Sequence, residues 1–293
     1  MILPLVSICI PTYNGFLYLN DALESVKEQN YTNIEVIISD DTSKDNTLEL
    51  VKEFKKKVAF PVNVYHHKPK GIGANWNHCI RKSNGKYIKF LFQDDILLPT
   101  CVEDMVNILE ANDSVGLVTS KRSFIMDENY TFAGMDEWIE NFKDLQRNLN
   151  LKFENGLSII DKGLFKSNEF LRSPLNKIGE PSVIMFRKEV IGKVGYFRED
   201  LHQILDYEFC YRILKKQKIA IINKNLVKFR LHAMQATNIN RGLNEDTGDT
   251  IKYQKILYNE YLRYLNKYNR IHFLKKYNLF YRLYYLIKRK LKI

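Results

Sequence analysis

Apolar and polar positions along the first hundred residues form a regular alternation. A run over 6–10 is continuously apolar and stops at Pro11-Thr12-Tyr13-Asn14-Gly15, a turn signal. Helical periodicity follows over 17–29, with Leu19, Leu23 and Val26 on one face. A second run over 34–39 ends in Asp40-Asp41 and leads into a helix over 48–57. A short strand over 62–66 precedes Gly71-Ile72-Gly73-Ala74-Asn75 and a helix over 76–83. The fourth run, 87–92, is rich in aromatic and branched residues and ends in Asp94-Asp95, with Pro99 closing the segment. Runs of this length suit strands covered on both faces, and strands alternating with helices predict βαβ units in a mainly parallel sheet.

Beyond Pro99 the pattern predicts a helix to 110 and a strand over 115–120. Periodicity is weak from 124 to 176, which reads as helices and loops that vary with substrate. A strand over 183–186, a short helix over 188–194 and a helix over 202–217 carrying Asp206, Glu208 and Arg212 come next. Two closing strands, 219–222 and 226–230, lead to Arg230-Leu231-His232. The fold class is therefore α/β, a central sheet flanked by helices.

Charge changes this picture at one end. The chain of 293 residues carries a net +11, and twelve Lys/Arg against the single acid Glu260 fall within 251–293. The region 1–250 then holds 33 charges of each sign and is neutral, which argues against a nucleic-acid binder and for a local basic surface. The four cysteines, Cys9, Cys79, Cys101 and Cys210, are scattered and read as small buried residues in a reducing compartment. The first eleven residues lack a basic leader and read as a strand. No apolar stretch reaches the ~20 residues of a membrane span.

The chemistry concentrates at strand ends. Ligands of open α/β sheets bind at the carboxyl ends of strands. Two adjacent acids are costly to hold together without a cation or donors, and Asp94-Asp95 suits a hard divalent ion shared with phosphate oxygens.

Five motifs in order, Ile10-Pro11-Thr12-Tyr13-Asn14, Ser39 to Thr47, Phe92-Gln93-Asp94-Asp95, Leu205-Asp206-Tyr207-Glu208 and Arg230-Leu231-His232, resemble family 2 glycosyltransferases of the GT-A fold, across about residues 5–237. The resemblance implies a Rossmann-like nucleotide-binding fold and inverting sugar transfer from a nucleotide-diphospho-sugar, a UDP-sugar first, with Mn2+ or Mg2+. It implies that Pro11, Tyr13 and Asn14 border the nucleotide and that Asp40 accepts from a uracil-like ring N–H. It also places Asn75 over ribose or base, Asp94 on the ribose, Asp95 on the metal, and His232 on the diphosphate or metal. Asp206 matches the catalytic base, Arg230 a phosphate partner, and Glu180 the lining of the acceptor pocket. The family often has Asp-x-Asp where this chain has Gln93-Asp94-Asp95, and Glu-Asp where it has Leu205-Asp206.

The expected organisation is a GT-A domain over 1–240, with a nucleotide half to 120 and an acceptor half after it, and a basic helical extension over 241–293. In the extension, Leu279, Leu283, Leu286 and Ile287 share a helical face beside lysines, arginines and tyrosines, the composition of a helix lying on an anionic membrane. The expected partners are a nucleotide-sugar and a saccharide acceptor, lipid-linked by family analogy, for surface polysaccharide at the inner face of the cell membrane. An oligomer is compatible with the sequence. The rival readings are a catalytically silent nucleotide-sugar binder and the same chemistry on a soluble or protein acceptor.

Overall fold

The computed structural model describes residues 3–127, 130–235 and 248–290. The boundary expected at 240 lies outside them. The apolar runs do form strands, because each buries both faces: β1 (Val6–Thr12), β2 (Ile34–Asp40) and β4 (Tyr87–Phe90) are almost wholly enclosed. With β3 (Val62–His66) they make a parallel half-sheet in the order β3-β2-β1-β4. Helices α1 (Phe16–Lys27), α2 (Thr47–Lys55) and α3 (Ile72–Lys82) are the crossovers, so β1, β2 and β4 all deliver their carboxyl ends to one edge.

The sheet continues as β8 (Ile184–Arg187), β6 (Val115–Met126), β9 (Lys218–Leu231) and β5 (Ile96–Leu97), with β7 (Leu157–Ile160) also on β9. Six of the nine strands run one way and β5, β7 and β8 run against them, so the sheet is mainly parallel as expected. Helices α4 (Cys101–Ala111), α5 (Met135–Phe142), α6 (Val190–Val194) and α7 (Leu205–Leu214) complete the domain. Helix α8 (Asp249–Ile256), a π turn (Leu257–Tyr261), α9 (Lys267–Tyr277) and α10 (Leu279–Lys290) follow.

Several boundaries differ from the sequence reading for local reasons. The fourth strand ends at Phe90, not 92, because the Phe92 N–H turns to Ser182 Oγ at 3.0 Å. The two closing strands are one, β9, which follows β6 through register shifts near Ser120–Arg122. The region 124–176 is more ordered than its weak periodicity suggests, since β6 runs on to Met126 and α5 and β7 lie within it. Helix α7 starts at Leu205, not 202. The N–H groups of His202 and Gln203 are instead held by Asp249 Oδ2, at 2.9 and 2.7 Å. All four cysteines are buried free thiols.

Candidate active site

The turn after β1 is fastened to two neighbouring loops. Gln93 grips the Tyr13 backbone twice, accepting from its N–H at 2.9 Å and donating to its carbonyl at 3.1 Å. Gly15 packs on the same Gln93, and a Cβ there would lie 2.3 Å from Oε1. Asn14, at φ 46°, accepts from the Lys44 N–H at 2.8 Å and donates its own N–H to Ser43 Oγ at 2.9 Å. Its side chain therefore shapes the loop. Tyr13 is 54% exposed, two residues after Pro11.

Asp40 closes β2 fully buried. Its Oδ1 accepts from Thr12 Oγ1 at 2.9 Å and from Ser43 Oγ at 2.5 Å, and its Oδ2 from the Ser43 N–H at 2.9 Å. A carboxylate has about four acceptor sites, and these bonds use three of them. The next residue, Asp41, meets His67 Nδ1 at 2.5 Å and hydrogen-bonds Asn75. Burial, the largest influence, raises the Asp41 carboxyl against the lowering by His67. The His67 and His78 rings lie 4.9 Å apart, and His78 bonds Ser39 at 2.8 Å. Asn75 is buried with its carboxamide oxygen lacking a protein partner, whereas Asn77 is consumed in holding Phe197 and Glu199.

At the end of β4 the two acids separate in role. Asp94 Oδ2 lies 2.9 Å from His232 Nε2, joining the fourth strand's loop to the last strand's end. Asp95 is 1% exposed, its Oδ1 accepting from the Arg230 N–H at 3.1 Å, and burial with Asp94 alongside pushes its carboxyl well up. Beneath it, fully buried Lys89 donates to the Ser182 and Ile184 carbonyls, and burial lowers its ammonium. The Arg230 guanidinium bonds the Asp94 carbonyl at 2.9 Å and Asp21 at 2.8 Å and stacks 4.7 Å over Tyr18. That fork is already spent on protein. Tyr18 packs 4.5 Å from His232 and donates to Asp127, and burial pushes its hydroxyl up to about 12.

On the other side, the start of α7 carries Asp206. Its Oδ2 accepts from Asn176 Nδ2 at 3.1 Å, and its Oδ1 is enclosed with no protein partner. Burial, with Glu180 adding to it, raises this carboxyl to about 7. Glu180 pairs with Arg122 at 2.8 Å and also raises Asp95. The turn that carries Glu180 touches both regions: Asn176 donates to Asp206, and Ser182 Oγ accepts from the Phe92 N–H. Glu208, two residues on, points inward and is fully buried between Arg198 and Arg212, each at 3.0 Å, so this helix start is not a solvated one.

Among the described residues no cluster of three His, Cys, Asp or Glu forms a ready metal cage. Asp94 and His232 nevertheless fit a hard divalent ion, which usually takes one or two protein ligands and completes its shell with substrate phosphates and water. Sequence reasoning did not single out Tyr18, Asp127 or His67, and it met Gln93 and Asp41 only as members of the motifs. Each acts through a partner far along the chain, and the adjacent His66-His67 was the only local hint.

An α/β sheet with this order, gathering acids from two strand ends, defines the class: the GT-A fold. The model of Glycosyl transferase family 2 matches residues 7–195, and the chain belongs to that family. An uncharacterized glycosyltransferase of Rickettsia typhi is 26% identical over 80% of this chain and 66% of its own length. One from Haemophilus influenzae is 27% identical over 90% of this chain and 75% of its own. The chain thus spans just under two thirds of the Rickettsia typhi relative. Among solved structures, S. aureus TarS (residues 1–349) with UDP-GlcNAc shares the fold at TM-score 0.61 and 16% identity, over 93% of this chain and 73% of that one. A mannosyltransferase from Pyrobaculum calidifontis with GDP-Man and Mn2+ does so at TM-score 0.57 and 13% identity, over 99% and 81%.

Proposed function

We propose that this chain is an inverting glycosyltransferase that moves a hexosyl or N-acetylhexosaminyl group from a UDP-sugar to a hydroxyl of a lipid-linked saccharide. One observation carries the reading: the 176–182 turn bonds Asp206 through Asn176 and the end of β4 through Ser182, so the strand-end acids and the raised Asp206 carboxyl border one turn. A general base works best when its pKa lies near the working pH. The acceptor hydroxyl gives its proton to Asp206 Oδ1 as its oxygen bonds the anomeric carbon. The bond from that carbon to the diphosphate breaks, and its electron pair leaves on the diphosphate. A single displacement needs one base and no protein nucleophile, and it inverts the anomeric centre.

Asp94 and His232 would hold the divalent ion, Mn2+ or Mg2+, which when bound offsets charge on the departing diphosphate. Exposure favours Asp94 over Asp95 for the ion. Asp94 reaches His232 from a side chain 20% exposed, while Asp95 is sealed and supports the Arg230 backbone. This exchanges the metal and supporting roles expected for the pair. Asp40 reads the base, Asn75 the ribose or base, and the exposed Tyr13 ring borders the nucleotide.

The domain division proposed is 1–240 and 241–293. The first part of the extension packs on the domain, with Tyr253, Ile256, Leu257 and Tyr261 buried. Helix α10 instead exposes Leu279, Phe280, Leu283, Leu286 and Ile287. Beside its basic residues, that face supports peripheral binding to an anionic membrane. Among the described residues no helix is long and apolar enough to cross one.

The deciding experiment is thermal shift against UDP with and without Mn2+, since a ligand of the folded state raises Tm. A Mn2+-dependent shift that disappears in Asp94→Ala is the expected result. No shift with any nucleotide from a folded protein would favour a silent subunit.

A further inference from the structure

Asp206 meets a side chain that is itself held in a single orientation. Asn176 lies in the turn ahead of β8. Its carboxamide oxygen accepts two backbone N–H groups, from Ile178 at 3.0 Å and from Gly179 at 2.8 Å. A flipped amide would set its own NH2 against those donors, so the oxygen stays on the turn and the nitrogen points the other way. That nitrogen donates to Asp206 Oδ2 at 3.1 Å. The second carboxyl oxygen, Oδ1, is enclosed and has no protein partner.

Three further side chains brace the turn. The Tyr211 hydroxyl, five residues beyond Asp206 on α7, accepts from the Lys177 N–H at 3.1 Å and donates to the Leu175 carbonyl at 2.5 Å. The backbone on both sides of Asn176 is thereby tied to the helix that carries the base. Gln146 Nε2 donates to the Lys177 and Ile178 carbonyls at 3.0 and 3.1 Å, and Thr119 Oγ1 to the Ile178 carbonyl at 2.8 Å. Gly179 turns at φ 136°, with no room for a Cβ beside Val183. A reacting group keeps its productive geometry when the partner that aims it is locked in this way.

The bond also favours one charge state. An N–H that donates to a carboxylate stabilises the ionised form, and the Asn176 amide acts here with the Asp206 and Tyr207 N–H groups at the start of α7. Burial, the largest influence, and Glu180 oppose them and raise the carboxyl. The other titratable groups that feel Asp206 are Tyr207, Cys210 and Tyr211 of α7, each raised by burial and so uncharged at neutral pH. The Lys177 ammonium donates to the Arg172 carbonyl at 3.0 Å, and Glu208 pairs with Arg198 and Arg212.

We propose that Asn176 is a positioning residue for the transfer: by donating to Oδ2 it reserves Asp206 Oδ1 for the acceptor's proton. The proposal rests on the reading of Asp206 as the base and names the group that aims it. The acceptor O–H bond breaks, its hydrogen bonds Oδ1, and the electron pair stays on the oxygen that attacks. Oδ2 keeps its bond to Asn176 throughout.

The test is the pH titration of the Asp206 carboxyl in the full chain, read by NMR with 13C-labelled aspartate. Its signal is assigned in each background as the one that Asp206→Asn removes. Asn176→Asp preserves the turn, because one carboxylate oxygen still accepts from the Ile178 and Gly179 N–H groups, while the other faces Oδ2 in place of a donor. Of two carboxyls in contact, the one holding two N–H bonds ionises first, so the Asp206 inflection should rise by about one pH unit or more. Asn176→Ala should raise it by less, since a donor is lost and no charge is added. Thr119→Val removes a brace of the same turn and should lower Tm while leaving the inflection in place. At pH 7, Asn176→Asp should slow Mn2+-dependent UDP release from UDP-GlcNAc about fivefold or more, the ionised base lost by a one-unit rise. That loss should recover with rising pH, at unchanged KM. An inflection that both Asn176 variants leave at the parent's value overturns the proposal, as does one that Thr119→Val moves equally. UDP release that Asp206→Asn leaves unchanged sinks the base reading instead, whatever the titration shows.

Discussion

The two sides of the crevice are built differently. On the side of β1, β2 and β4, polar side chains mostly hold backbone: Gln93 holds Tyr13, Asn14 holds Lys44, and Asp40 holds Ser43. On the side of α7, charged side chains pair with one another, as in Glu180 with Arg122 and Arg198 with Glu208 and Glu260. There the Asp206 carboxyl also keeps one oxygen without a protein partner. The first construction fixes the shape of loops. The second holds a carboxyl raised to about 7 inside a packed wall, at some cost to stability.

Asp206→Asn tests that contrast most severely. Transfer should fall by about 10²–10⁴-fold while UDP binding persists, the usual worth of a positioned base. In the unaltered protein transfer should rise with pH through an inflection near 7. Stability carries the opposite sign. The folded chain keeps the Asp206 proton up to about 7, against 3.8 for the free group. The carboxyl therefore costs nothing below about pH 4 and increasingly destabilises as pH rises to about 7. Asp206→Asn should raise Tm at pH 8 and leave it near the parent's at pH 4. Equal turnover in the variant refutes the base assignment.

Next in size is Glu208→Ala. It leaves Arg212 buried without its carboxylate and should lower stability by about 3–5 kcal/mol in denaturant unfolding. An effect under about 1 kcal/mol would show that the network is loosely held.

His232→Ala should weaken Mn2+-dependent UDP binding by roughly tenfold to a hundredfold, as expected when a ligand of a metal site is lost. Metal-free UDP binding should stay near the parent's. If both fall equally, His232 supports the loop and not the ion.

The smallest effect expected is Gln93→Ala. Losing two bonds to the Tyr13 backbone should cost about 1–2 kcal/mol of loop order, read as roughly five- to thirtyfold weaker UDP binding. No change would mean that Asn14 and Ser43 hold the turn without it.

Much of this molecule was legible in advance. Apolar runs long enough to be covered on both faces dictated β1, β2 and β4, and intervening helical periods dictated their parallel order. Acids at strand ends could be placed at the crevice because parallel strands bring their carboxyl ends to one edge. Local polarity even marked Asp206 on a helix. What no local pattern carries is which distant side chain answers which. His232 joins Asp94 and leaves Asp95 sealed, the Arg230 fork is used within the protein, and Glu208 turns inward to Arg198 and Arg212 while Asp206 meets Asn176. The first two choices depend on the end of β9 packing against the loop after β4, more than a hundred residues away, and the last on α7 packing against segments 10 to 30 residues before it. The same packing shifts the Asp206 carboxyl to about 7, because burial and a neighbouring charge are properties of the folded interior and not of the residue.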